Sequence, residues 1–409
     1  MFENMEGKKS RIITYLVFIF ALAVVIINII SLIFPALLLT SIVSAESSIN
    51  PYDLGAWTVP FLVANLAILA FGLLYYRKRL PNKITSSFKF ILSFEVSRKT
   101  AIVAFAVIVG IYIVFSAGEL TLQEVDVWAD WKVVEPIVEG FPSGEGPPSL
   151  EILYVNNFLL YASQEILQNV KIIPFLASIA LVFLTYFLTV KISHKRFAGL
   201  VSIVILLQSH TFLRYDTTAT YANFWTVFYL ASLYLIYTRW PLSALAFVAS
   251  IFSKALSIAF IPMTLFFALR SELKTKTKIG IIISYGIIIA AAITVLFAVE
   301  GLGYGKTLTE FDGIDFASGF TAWAFQLRID GLVLVFLLPV TVGLFIKSLK
   351  GKKEADSILV LIAGVLILVP LLAGFTQFNI QPYRWIPLIA FFAIGVGALL
   401  SKSANGPED

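Results

Sequence analysis

The chain has no cysteine and only two histidines, His194 and His210, in 409 residues. Without thiols it has no disulfide framework, no thiolate nucleophile and no cysteine-bound metal. Two histidines cannot build a histidine-rich metal cluster. Charge is also scarce: 13% of residues are Asp, Glu, Lys or Arg, against 59% hydrophobic and a mean hydropathy of +0.91. No soluble globular chain needs that much apolar surface. Repeated apolar runs near the bilayer-spanning length mark a polytopic helical membrane protein, all-α in class. A Walker loop, a Ser-His-Asp order and a dinucleotide fingerprint are absent, as are heptads and solenoid-type repeats. Gly301-Leu-Gly-Tyr-Gly305 follows a membrane helix rather than a strand and reads as a turn. The net charge of +5 is no nucleic-acid signal, because the basic residues follow the membrane pattern.

About 12 transmembrane or half-membrane helices are predicted, near 12–36, 56–76, 100–117, 172–191, 197–213, 222–238, 242–254, 255–269, 279–299, 329–347, 357–375 and 384–400. Residues 1–99 hold two spans and a basic linker; residues 100–409 form the main transmembrane domain, with loops at 118–171 and 300–328. With the N-terminus cytoplasmic, inner segments carry 23 of the 30 Lys and Arg residues. Both termini are then cytoplasmic and the loop at 118–171 lies outside. Val43-Ser-Ala45 resembles a signal-peptidase site, but the apolar run before it is too long for a signal peptide, so an uncleaved first span is expected. Pro241 to Leu269 is too long for one span and reads as two short helices meeting near Ser253-Lys254, walling a cavity.

The loop at 118–171 is the one long polar segment. It carries Glu119, Glu124, Asp126, Asp130, Glu135, Glu139, Glu145, Glu151 and Glu165 against Lys132 and Lys171. Trp128, Trp131, Val134, Val138 and Phe141 recur at near-helical spacing. That pattern predicts an amphipathic surface helix with Asp126 and Asp130 one turn apart on its wet side, ended or kinked by Pro136 near Glu135. Asp126 is the sharpest catalytic candidate. It could deprotonate an acceptor hydroxyl, or hold a divalent cation such as Mg or Mn against a phosphate leaving group. Glu124 and Asp130 are its helpers, and a solvated acidic face is the bland alternative.

Arg214, Lys254, Arg328 and Arg384 sit at the outer ends of spans, where the positive-inside rule disfavours them. Such charges face a cavity or a partner, and together they could bind a lipid-linked phosphate. Snorkelling to headgroups is the alternative. The turn from Arg214 to Asn223 is rich in hydrogen-bonding groups, and its Asp216 could pair with Arg214 or approach Asp126. The segment from Glu300 to Asp330 reads as an outer loop able to cover the cavity.

These motifs, in this order over roughly residues 100 to 400, resemble the glycosyltransferase C superfamily of polyprenyl-phosphate-sugar-dependent membrane enzymes. Glu124-Val-Asp126 is similar to its first-loop acidic motif, Gly146-Pro-Pro-Ser-Leu150 to its proline-rich re-entry, and Tyr383-Arg-Trp-Ile-Pro387 to its Arg-Tyr-x-x-Pro ending. The Phe212-Leu-Arg-Tyr turn, Arg239 and Ser253-Lys254 follow the same order. Asp126-Val-Trp128 with Gly140-Phe-Pro142 resembles the first loop of the oligosaccharyltransferase catalytic subunit, and Arg214 to Asn223 its second. Ala222-Asn223 stands where that subunit has an acidic pair, and the sequence has no Trp-Trp-Asp motif. The resemblance therefore implies an inverting single-sugar transferase of mannosyl or arabinosyl type. It would take a polyprenyl-phosphate sugar at the outer face, in the plasma membrane of a prokaryote. Asp126, assisted by Glu124 or Asp130, would be base or metal ligand. Arg384, Lys254, Arg214 and Arg328, with Tyr383 beside them, would bind the phosphate. The alternative is a non-catalytic membrane subunit of this architecture, acting as a scaffold or lipid-binding module beside a partner subunit.

Overall fold

In hydrocarbon every backbone N–H and C=O must be satisfied within the segment that carries it, and the apolar runs meet this demand as helices. The computed structural model describes residues 2–37, 50–141, 153–298, 310–375 and 382–401, and among these no strand occurs. The helices are α1 (Phe2–Ile33), α2 (Thr58–Tyr76), α3 (Asn82–Ser93), α4 (Arg98–Ala117), α5 (Glu124–Val127) and α6 (Trp131–Glu139). There follow α7 (Tyr154–Leu167), α8 (Ile172–Ser193), α9 (Arg196–Leu207), α10 (His210–Arg214), α11 (Phe224–Thr238) and α12 (Trp240–Ser253). The last six are α13 (Ile261–Arg270), α14 (Thr275–Ala298), α15 (Gly313–Leu327), α16 (Gly331–Leu349), α17 (Glu354–Phe375) and α18 (Ile386–Leu399). Among the described residues, seven stretches are long and apolar enough to cross a membrane, carried by α1, α2, α4, α8, α16, α17 and the segment Pro382–Leu399. Four shorter apolar stretches complete the pattern: α9, α11, α12 and Ala255–Arg270. The chain is a multi-pass integral membrane protein.

α17 and α18 form the centre. From Ile386 to Ile394 every side chain of α18 is buried. Close approach is set by small residues, as expected where lipid supplies no hydrophobic drive between helices. A Cβ on Gly397 would lie 2.3 Å from Thr189 of α8 and 2.9 Å from the Ala198 carbonyl of α9. Gly319 of α15 lets Pro370 of α17 approach in the same way, at 2.6 Å. α1 belongs to this core, with Val25 and Leu32 fully buried in it.

The structure departs from the sequence expectations in four places. The span expected over 197–213 breaks after Leu207, because the Ser209 hydroxyl caps a new helix by accepting from Phe212 N at 3.0 Å. The expected outer loop at 300–328 is helical from Gly313, capped by Asp312, which accepts from Ile314 N at 2.6 Å. Its Phe320, Trp323 and Ala324 are buried, and Trp323 donates to the Val365 carbonyl of α17, so this stretch is bundle rather than cover. The single surface helix expected around Trp128 is two pieces, which places Asp126 in α5 and Asp130 just before α6. Pro136 lies inside α6 rather than ending it, since Gly140 N still closes on the Pro136 carbonyl. α6 buries Trp131 and Val138 against Leu160 and Phe224, so it is docked on protein. The basic linker also contains α3, whose Ile84, Phe88 and Ile91 already stood at helical spacing. Lys254 does separate two short helical pieces, α12 and a 3-10 turn over Ala255–Phe260. The Val43-Ser-Ala45, Gly146 to Leu150 and Gly301 to Gly305 motifs lie outside the described residues.

One end of the bundle is tied by a buried ion pair between Arg270 of α13 and Asp356 of α17. Thr14 of α1 donates to Asp356 at 2.9 Å and meets Ser348 of α16 at 3.1 Å, while Arg270 donates to Ser10 at 3.1 Å. Four helices thus share one charge pair. Asp356→Ala would leave Arg270 buried without its counter-charge, and the expected cost is about 3–5 kcal/mol. Unfolding in detergent measures this. Wild-type stability in the variant would mean that packing alone holds α1 in place.

Candidate functional site

At the opposite end, α4 runs into the first loop, and the turn after α10 lies against it. The contact is a ladder of side chains taken in order. Ser116 donates to Asp216 at 2.7 Å, and Thr217 donates to Glu119 at 2.8 Å. Thr218 and Thr220 both donate to Glu124, at 2.6 and 2.8 Å, and Thr220 N adds a third bond at 2.8 Å. Tyr221 then donates to Asp130. The acids Glu119, Glu124 and Asp130 thus meet the hydroxyls of Thr217, Thr218, Thr220 and Tyr221 in the same order along both segments.

Glu124 is buried, and its second oxygen faces Lys171 at 3.4 Å, itself buried and donating to the Glu119 carbonyl at 3.2 Å. A carboxylate with three hydrogen bonds and an ammonium partner is satisfied where it stands, which fits a structural clamp. Asp126 differs. It is exposed, and among the described residues its carboxylate has no hydrogen-bond or ion-pair partner. Asp130 is exposed and reaches the interior through Tyr221.

From Tyr221 the set continues inward. Its ring stacks on Tyr383 at 4.7 Å, and the Tyr383 hydroxyl accepts from Lys254 Nζ at 2.6 Å. Lys254 also lies over the Tyr383 ring at 3.9 Å and within 5.8 Å of Trp225, an arrangement that stabilises a half-buried cation. The guanidinium of Arg384 is 5.9 Å from the same ring. Trp128 stacks on Tyr215 at 5.0 Å, meets Tyr221 edge-on at 5.1 Å, and carries the Arg214 guanidinium at 5.3 Å. Asp130, Tyr383, Lys254, Arg384 and Arg214, far apart in sequence, therefore join one aromatic and charged cluster.

Arg328 stands apart from it. Its guanidinium lies over Phe325 at 4.3 Å and beside Gly55, where a Cβ would come within 3.3 Å of it. Asp216 does not pair with Arg214, since Ser116 holds it and Trp128 holds the arginine. Asn223, where the resemblance expects an acid, is buried and donates to Ser178 at 3.3 Å and to the Tyr215 carbonyl at 3.1 Å. Among the described residues no three His, Asp or Glu side chains gather to hold a metal ion, so Asp126 offers a single carboxylate ligand. Tyr221 and Lys171 were not picked out from sequence as site residues, although both belong to segments that were.

No family model, curated protein or solved structure matches the chain.

Asp216 supplies a pH signature. Burial raises its carboxyl from the ordinary 3.8 to about 7, and the Ser116 hydrogen bond offsets this only in part. The folded state thus binds a proton that the unfolded state has already lost between those values. Stability from this group is full below about pH 4 and falls as pH rises towards 7, by about 1.4 kcal/mol for each pH unit between them. Wild type is expected to unfold at lower temperature at pH 8 than at pH 5.5, and Asp216→Asn to flatten that difference. An unchanged pH profile in the variant would assign the dependence to other groups.

Proposed function

We propose that the chain is a membrane glycosyltransferase of the type it resembles, the glycosyltransferase C superfamily. In this reading it transfers a sugar from a polyprenyl-phosphate donor at the face bearing the first loop. The supporting observation is convergence: Lys254 and Arg384 meet at Tyr383, and Tyr221 links that residue to Asp130, with Asp126 exposed on the same short segment. Cations beside an aromatic wall suit a phosphate on an apolar chain, Arg by paired hydrogen bonds and Lys as a point charge. Preorganised there, they would stabilise the negative charge that develops as the anomeric carbon–phosphate oxygen bond breaks. Asp126 would take the proton of the attacking acceptor hydroxyl, with Asp130 positioned by Tyr221 beside it. Glu124 acts as the clamp that fixes this segment. A divalent cation, if used, would rest on Asp126 and the donor phosphate. The excess of Lys and Arg at the other end supports cytoplasmic termini and an extracytoplasmic site, in a prokaryotic plasma membrane.

A second reading, a non-catalytic lipid-binding subunit with a membrane partner, is favoured by Asn223, a buried amide donating to Ser178 and the Tyr215 carbonyl where an acid would be needed. Two measurements separate the readings. Arg384→Ala is expected to weaken polyprenyl-phosphate binding by roughly ten- to a hundredfold, the value of a charge-assisted hydrogen bond. Asp126→Asn is expected to lower sugar transfer by roughly 10²–10⁴-fold in a folded protein that still binds the lipid. Full transfer by that variant would sink the enzyme reading. Lipid binding indifferent to Arg384 would sink the site itself.

A further inference from the structure

A second site lies at the other end of the bundle. There α8 ends at His194 in a left-handed turn (φ 56°) and α9 begins at Arg196. A cleft of about 430 Å³ opens beside this turn. Its wall is apolar, formed by Val190 and by Phe187 and Tyr234, whose rings stand 6.1 Å apart. Phe187 is 43% exposed on a membrane-spanning helix, so the wall continues onto the surface that acyl chains cover. Lys191, His194 and Arg196 line the same cleft, against one acid, Glu95. One oxygen of that acid accepts from Val96 N at 3.0 Å and Arg196 N at 3.1 Å, and the other is buried without a hydrogen-bond partner, so three basic side chains stand against a single carboxylate turned into the protein.

The segment leading into the cleft has the same character. None of the side chains of α3 is buried, and Phe88 folds back onto Phe71 of α2 at 5.2 Å. The α3 C-terminus is pinned by Lys195, which donates to the Leu92 carbonyl, and by Phe94 against Phe197 at 4.8 Å. From Arg77 to Lys99 the chain holds seven Lys and Arg residues and one acid. A helix with an exposed apolar side and basic flanks, tethered between two spans, lies in the membrane interface.

We infer that this cleft binds the phosphate of an anionic phospholipid such as phosphatidylglycerol, with one acyl chain along Phe187 and the phosphate at Lys191 and Arg196. Basic pockets between spans are suited to such headgroups, each cation near the surface strengthening binding about fivefold. The site is independent of the one at the first loop and needs no glycosyl transfer. Its test uses the full chain in detergent, titrated with phosphatidylglycerol, with phosphatidylcholine of the same acyl chains, or with glycerol 3-phosphate. Phosphatidylglycerol should raise the unfolding temperature of wild type and the other two should not. Lys191→Gln with Arg196→Gln should weaken that response roughly thirtyfold. Lys191→Gln alone, which leaves the Arg196 contacts to Val96 and Glu95 in place, should weaken it about fivefold. Equal protection by phosphatidylcholine, or unchanged response in the variants, overturns the site. Equal protection by glycerol 3-phosphate overturns the lipid and leaves a free-phosphate site.

Discussion

Glu124 is the residue on which the first-loop end depends. Its buried carboxylate is shared among two threonine hydroxyls, one backbone amide and Lys171. Those partners come from two places, the turn after α10 and the residue before α8, so with the segment that carries Glu124 three segments meet. A charge buried without them would be costly, so the folded state keeps all three together or loses the arrangement. Everything proposed for the site rests on that junction. Trp128 and Asp130 follow Glu124 by four and six residues, and their positions against Tyr215 and Tyr221 are fixed only once Glu124 is seated.

The same logic operates at the other end with opposite composition. Among the described residues only two ion pairs occur, Glu124 with Lys171 and Arg270 with Asp356, and each stands at one end of the bundle. Between them lie helices that apolar burial holds together weakly, because lipid competes equally for their surfaces. Close approach at Gly319 and Gly397, together with these polar ties, supplies what hydrophobicity does not. α1 illustrates the point. Its Thr14 and Ser10 reach the Arg270–Asp356 pair, which anchors a helix that would otherwise be one more apolar rod.

Helical class, most spans and the break at Lys254 were legible because they follow from hydropathy and length alone. The break after Leu207 was not, since it depends on a serine cap inside an apolar run, where hydropathy has no contrast. α15 was hidden for the reverse reason: Asp312 and Asp315 made its start look like loop, while its buried face packs on α17. For the site, charge rarity identified Arg384, Lys254 and Arg214, because a cation on the wrong side of the positive-inside pattern stands out in sequence. The sequence ranks Asp126 above Glu124, but it gives no sign that Glu124, two residues away and chemically alike, is buried. Their roles diverge by burial: one is clamped, the other open. Tyr221 escaped notice because its value is purely spatial, bridging an acid and a stacked Tyr383 from distant parts of the chain.

The clamp also sets what the neighbouring acids can do. Glu124 is buried in a shell of partners, with three hydrogen bonds on one oxygen and the Lys171 ammonium facing the other, and both favour its charged form and hold it away from a substrate. Asp126 keeps its full acceptor capacity because α5 is a single turn that points it away from that shell. The Asp216 carboxyl, buried one step along the ladder, sits between these cases: it has one donor and an oxygen with no partner among the described residues. A proton shared there near neutrality would loosen or tighten the contact between α4 and the turn that carries Tyr221. The pH at this end of the bundle would then act on the geometry of Asp130 without touching it, through the ladder that Glu124 holds in register.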